Sequence, residues 1–149
     1  IVGLGKAAEL ASTELPERIK QLTELGQIFI HRLLTEIPDT RLTGHPQLRI
    51  PGHVSVCFEA IEGESLLISL DLEGIAGSSG SACTSGALEP SHVLMALGLT
   101  HETAHGSLRL TLGNDNTQPD IERVMEVLPG IVERLRTMSP LYKQQKGVN

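Results

Sequence analysis

Cys83 lies near the middle of twelve consecutive small residues, AGSSGSACTSGA, running from Ala76 to Ala87. None of them is larger than threonine. A segment so rich in Gly and Ser cannot bury enough apolar surface to order itself. The run therefore predicts a mobile loop over 76–88 with a thiol on it. A thiol on a swinging arm suits chemistry that collects a group in one place and delivers it in another. The opposing reading is an inert small residue in a glycine-rich turn. No Lys, Arg or His stands within several residues of Cys83 to depress its pKa, so activation must come from elsewhere in space.

Arg109 is the second candidate. Gly106 to Leu112 alternates, with Leu108, Leu110 and Leu112 on one side and Ser107, Arg109 and Thr111 on the other. Arg109 is then either a solvated edge charge or a fork for a substrate carboxylate, a geometry that Arg serves better than Lys. The histidines at 31, 45, 53, 92, 101 and 105 raise the question of a metal. His101-Glu-Thr-Ala-His105 matches the literal zinc-protease pattern. That chemistry needs a long helix and a third ligand, whereas this segment is confined between Gly98 and a strand. No metal site is expected.

These residues must be positioned by a few elements. Leu4, Ala8, Ala11, Leu15, Ile19, Leu22, Leu25, Phe29 and Leu33 recur at helical spacing. Pro16 removes one backbone donor, which predicts a kink or split there. Residues 39–52 hold two Pro and two Gly and read as loop with one short strand at most. His53 to Glu59 alternates, with Val54, Val56 and Phe58 inward. Ser55, Cys57 and Glu59 face the other way, with Cys57 packing on the second face of the sheet. Gly63–Leu72 predicts a short helix with Leu66, Leu67 and Leu70 buried. Pro90 opens another that ends at Gly98. Thr117 with Asp120 resembles a capping box. It precedes a helix whose stripe is Ile121, Val124, Met125, Leu128, Ile131, Val132 and Leu135, bent at Pro129. Few strands, several helices and no βαβ alternation give an α+β class, with helices on one face of a small sheet.

Composition narrows the function. The chain has 149 residues, enough for one domain with a core. Aromatics are 2% and the net charge is −6. Base stacking and attraction to polyanions are thus both disfavoured, so neither nucleic acid nor an anionic membrane is an expected partner. Two cysteines without a need for a staple fit a reducing cytosol. The first residue is Ile, within a helical pattern, as expected of a piece of a longer chain.

SSGSACTSGALEPSHVLMALG, residues 78 to 98, resembles the active-site cysteine loop of the pyridoxal-phosphate-dependent cysteine desulfurases, the NifS/IscS-like group of the class-V aminotransferases. IVGLGKAAELA at the start, EGESLLISL, HGSLRLTLG and LPGIVERLRTMSPLY are similar to that family's C-terminal part. The resemblance implies the small C-terminal domain of a fold-type I enzyme, with a mainly antiparallel sheet over 37–149 and a long connecting helix over 1–36. It implies that Cys83 is the nucleophile that takes sulfur as a persulfide, and that Arg109 holds the α-carboxylate of L-cysteine. In that family the cofactor acts as electron sink while alanine is released. The sulfur then passes to an iron–sulfur scaffold or another acceptor, and the whole enzyme is a homodimer. Departures accompany the matches. The family's cofactor lysine, ring-stacking histidine and pyridine aspartate lie N-terminal to the matching region. Lys6, Lys20, Lys143 and Lys146 are not in the matching context, and Asn114 stands where many relatives have Arg. No cofactor-binding residue is therefore assigned here, and the chain alone is expected to be inactive. The rival expectation is a stand-alone persulfide carrier or interaction module.

Overall fold

Three antiparallel strands organise the chain: β1 (Thr40–Leu42), β2 (His53–Phe58) and β3 (Ser107–Thr111), in the order β1-β2-β3. The computed structural model describes residues 1–79, 90–140 and 142. The predicted loop over 76–88, including Cys83, lies outside the described residues except for its first four positions.

Register fixes the faces. Val54 pairs with Leu110 and Val56 with Leu108, so these apolar residues share one face. His53 pairs with Thr111, Ser55 with Arg109 and Cys57 with Ser107, which makes the opposite face polar. Three helices cover the apolar face: α1 (Val2–Glu36), α2 (Gly63–Leu72) and α5 (Gln118–Met138). They contribute Phe29, Leu33, Leu66, Leu70, Ile121 and Leu128 to a core with Val54, Val56, Phe58 and Leu108. The helix over Gly63–Leu72 has the bounds read from the sequence.

Two short helices, α3 (His92–Ala96) and α4 (His101–His105), add what sequence patterning did not foresee. They put Leu94, Leu99 and Ala104 over Cys57, so helices lie on both faces of the sheet, not on one. α3 is also shorter than expected. It begins after Ser91 rather than at Pro90, and Gly98 adopts φ 81 just beyond its end. That left-handed conformation costs glycine least.

α1 is a single helix with Pro16 inside it, so the expected split does not occur. A proline ring removes one hydrogen bond, and the neighbouring turns hold the helix on either side of it. The apolar stripe divides in two. Phe29 and Leu33 are fully buried, whereas Leu4 is 77% exposed and Leu15 52%. α5 likewise runs through Pro129. Its start is the capping box expected at Thr117 and Asp120, where the Thr117 N–H donates to Asp120 Oδ2 at 2.7 Å. That donor, with the Thr117 hydroxyl, holds the Asp120 carboxyl below the usual carboxylate range.

Close backbone approach ties the strands to α2 and α4. A Cβ on Gly106 would collide with the Phe58 carbonyl, and one on Gly63 would lie 2.9 Å from the carbonyl oxygens of His105 and Ser107. Glycine is therefore required where α4 turns into β3 and where α2 begins.

Candidate functional site

Arg109 stands in the middle of the polar face. Ser55 pairs with it from β2. Beyond Ser55, the Thr43 N–H donates to the Ser55 carbonyl at 3.0 Å, and the Thr43 hydroxyl donates to Ser55 Oγ at 2.6 Å. On the outer side of β3, Ser78 forms an isolated bridge with Arg109. The Ser78 N–H donates to the Arg109 carbonyl at 3.0 Å, and the Arg109 N–H returns to Ser78 at 2.7 Å. Thr43, Ser55, Arg109 and Ser78 thus form one row across the sheet. Ser78, within the segment 76–88, is thereby fastened to β3.

A cleft of about 280 Å³ opens over this row. His53, Ser55, Thr43, Ser91, Ser107 and Arg109 supply its polar wall, and Val93 and Leu94 of α3 with Leu97 just past its end the apolar side. Among the described residues no carboxylate lines it. Most arginines of this chain have partners. Arg18 pairs with Glu14, Arg32 with Glu36 and Arg123 with Glu73 and Glu126. Arg136 is buried and donates to the carbonyls of Glu59 at 3.2 Å and Asp39 at 3.1 Å. The Arg109 guanidinium has neither ion pair nor hydrogen bond among the described residues. A free fork in a cleft without acids is a place for an anion.

The cleft also has a frame. Arg49 Nε donates to the His53 carbonyl at 3.0 Å, and its NH2 group lies 3.5 Å from the Thr43 carbonyl. Arg49 thereby ties both ends of the loop between β1 and β2. His53 is held below its ordinary pKa, chiefly by partial burial and then by the charges of Arg49 and Arg109. Sequence reading placed Ser55 on the polar face but gave His53 no role beyond a possible metal ligand. Thr43 and Arg49 were hidden in a Pro- and Gly-rich stretch. The alternation of β2 was the signal that could have joined His53 to Arg109.

The other candidates separate from this site. Cys57 is fully buried on the same face, and burial pushes its thiol up to about 11. His101 to His105 make up all of α4, which is too short for the zinc-protease arrangement. Among the described residues no three His, Cys, Asp or Glu side chains cluster as a metal site would require. A larger cleft, about 700 Å³, lies between α2, α4 and the end of α5, but among the described residues no Lys or Arg lines it. No helix among the described residues is long and apolar enough to cross a membrane. The described residues also do not build a pyridoxal phosphate site. Lys6 is exposed and paired with Glu9, Lys20 is exposed on α1, and neither lines any of these clefts.

An α+β domain with three antiparallel strands and an arginine-bearing cleft has a known setting. The aminotransferase class-V family model matches residues 1–124, and the chain belongs to that family. Within it, the chain is similar to cysteine desulfurases. It is 54% identical over 144 residues to cysteine desulfurase IscS 1 of Archaeoglobus fulgidus, covering 97% of this chain and 37% of that protein. It is 57% identical over 145 residues to cysteine desulfurase IscS of Methanosarcina thermophila, covering 97% and 36%. The chain thus spans just over a third of these relatives. Among solved structures, a NifS-like protein from Rickettsia africae superimposes with a TM-score of 0.75 at 27% identity, covering 88% of this chain and 33% of that one.

Proposed function

We propose that this chain is the substrate-gripping and sulfur-accepting part of a cysteine desulfurase. The observation that carries the reading is the Arg109 fork, which has neither partner nor neighbouring acid in its cleft among the described residues. In this reading Arg109 binds the α-carboxylate of L-cysteine through two parallel N–H donors. Cys83 accepts the sulfur. Its thiolate forms a bond to the substrate sulfur, the substrate carbon–sulfur bond breaks, and a proton completes the methyl group of alanine. Cysteine plus thiol thereby becomes alanine plus persulfide, with every atom accounted for. Five residues separate Ser78 from Cys83 in sequence, and such a length reaches at most about 18 Å. The Ser78 bridge therefore supports delivery of the thiol to the same end of the sheet as Arg109.

Pyridoxal phosphate supplies the electron sink in this reading, on residues that this chain does not contain. Residues 1–36 serve as the connecting helix and 37–149 as the small domain. The exposed Leu4, Leu15 and Ile19 of α1 are apolar surface that a cofactor-bearing part can cover. The whole enzyme works in the cytosol as a homodimer and passes sulfur to an iron–sulfur scaffold or another acceptor.

The test is to supply L-cysteine and pyridoxal phosphate to the protein with and without a lysine-bearing cofactor part. Alanine should appear in equal amount to labelled sulfur on Cys83, and only when that part is present. Alanine from the 149 residues alone would overturn the division of labour. Persulfide acceptance by the 149 residues from a small persulfide donor, with no alanine in either case, would instead establish the carrier.

A further inference from the structure

We propose that His53 is a second carboxylate-binding residue of the Arg109 cleft, placing a ring N–H on the anion that the guanidinium grips. The inference rests on the anion-binding reading of Arg109 and adds a residue to it. Register is the first support. Ser55 is directly opposite Arg109, and His53 is two residues before Ser55 on the same face. His53 is therefore the diagonal neighbour of Arg109, a separation of about 7–8 Å between backbones that two long side chains facing one space can bridge through a small ligand. Both side chains line the same cleft.

The chemistry of the walls is the second support. Among the described residues the titratable side chains of the cleft are His53 and Arg109, and Arg49 stands behind His53 on the β1–β2 loop. The α3 side contributes Ser91, Val93, Leu94 and Leu97, and the β1 side Thr43 and Gly44, so among the described residues no acidic side chain faces His53 and Arg109 in the cleft. The His53 ring makes no hydrogen bond to another side chain among the described residues, and its one backbone contact is within His53 itself. Neutral imidazole keeps one N–H to donate. A carboxylate seated on Arg109 cancels the charge that disfavours protonation of His53. Anion binding should then draw a proton from solvent onto the ring, and the anion should bind more tightly as the pH falls.

Sodium acetate is the probe, titrated into the full 149-residue chain carrying isotope-labelled histidine. Ring shifts of His53 are followed at about pH 6 and about pH 7.5, spanning the range where imidazole titrates, with sodium chloride matching the ionic strength. Acetate should move the His53 signals and raise the pH at which that ring titrates. His53→Ala should weaken acetate by roughly three- to tenfold, the worth of one hydrogen bond. His53→Gln, which keeps an N–H but cannot titrate, should restore part of the affinity and lose the pH dependence. Amide spectra report whether each variant keeps its fold. Acetate that binds through Arg109, as shown by loss in Arg109→Gln, but equally well in His53→Ala would overturn the role of His53 and leave Arg109 standing. Acetate indifferent to both substitutions would overturn both.

Discussion

On one face of the sheet, Val54, Val56, Leu108 and Leu110 are sealed beneath α1, α2 and α5. On the other, Cys57 is covered by Leu94, Leu99 and Ala104, while Ser55, His53 and Arg109 remain open to a cleft. The same two strands build both faces, and successive residues alternate between them. Even positions of β2 and β3 thus pack the core, and odd positions face the other side of the sheet. A change at 108 and a change at 109 touch different properties although the residues are adjacent.

The largest test of that division is thermodynamic. Leu108→Ala should cost about 2–5 kcal/mol, because it removes buried methyl groups from a packed core and leaves a cavity. Arg109→Ala should change stability by no more than about 0.5 kcal/mol, as is usual for an exposed side chain without a partner. Urea unfolding of the two variants measures both. Similar losses for the two would mean that the polar face carries the fold as well, and the contrast would collapse.

The second test concerns the two thiols. Burial holds the Cys57 thiol at about 11, so little thiolate is present near neutral pH. A cysteine of ordinary pKa, near 8.5, would have roughly 300 times more. Iodoacetamide should therefore label Cys83 at least about a hundredfold faster than Cys57 in the folded chain, and both at similar rates in urea. Mass spectrometry of the peptides reads the two rates. Fast labelling of Cys57 in the folded chain would show that α3 and α4 open readily and do not seal their end of the face.

Much of this contrast was legible in the sequence. Period-two alternation set the faces of β2 and β3, and period 3.6 set α2 and α5 almost to their ends. These signals are strong because one side of each element is buried. The covering of Cys57 was not legible, because α3 and α4 are only five residues each and too short to show a period. The division of α1 was hidden for a different reason. An apolar stripe records that a face is made for burial, but not which half of it the same chain covers. Pro16 does not split α1, because the turns of a long helix on either side outweigh the one donor the ring removes. Arg109 was visible as a polar-face residue, but its neighbours Thr43, Arg49 and Ser78 reach it across loops, and pattern does not report that.

The third test returns to recognition. In the whole enzyme, Arg109→Ala should raise the KM for cysteine about ten- to a hundredfold, the worth of a charge-assisted pair at roughly 1.5–3 kcal/mol. Arg109→Lys should recover part of this, since a point charge does not reproduce the two-pronged contact. An unchanged KM in Arg109→Ala would remove the open half of the polar face from substrate binding.

The smallest expected effect is on stability against pH, and it tests whether the open half of the face has a cost. The His53 ring is held below its ordinary value of 6.5, first by burial and then by Arg49 and Arg109. The unfolded chain therefore takes up a proton at a higher pH than the folded chain does. In the interval between the two values the unfolded state binds more protons, so stability falls as the pH drops below about 6.5 and levels off below the folded value. Because the ring is partly exposed, solvent screens the repulsion and the decline should be shallow. Asp120 and Glu36 are lowered from ordinary values of 3.8 and 4.5, so their losses begin in more acidic solution. His53→Gln should flatten the slope just below pH 6.5 without altering the acid limb. Arg109→Gln should flatten it in part, because one of the two cations facing the ring is gone while Arg49 remains. Urea midpoints taken across the interval read the slope. A slope unaffected by either substitution would show that the cations of the cleft do not act on His53, and the open half of the face would then carry no cost in stability.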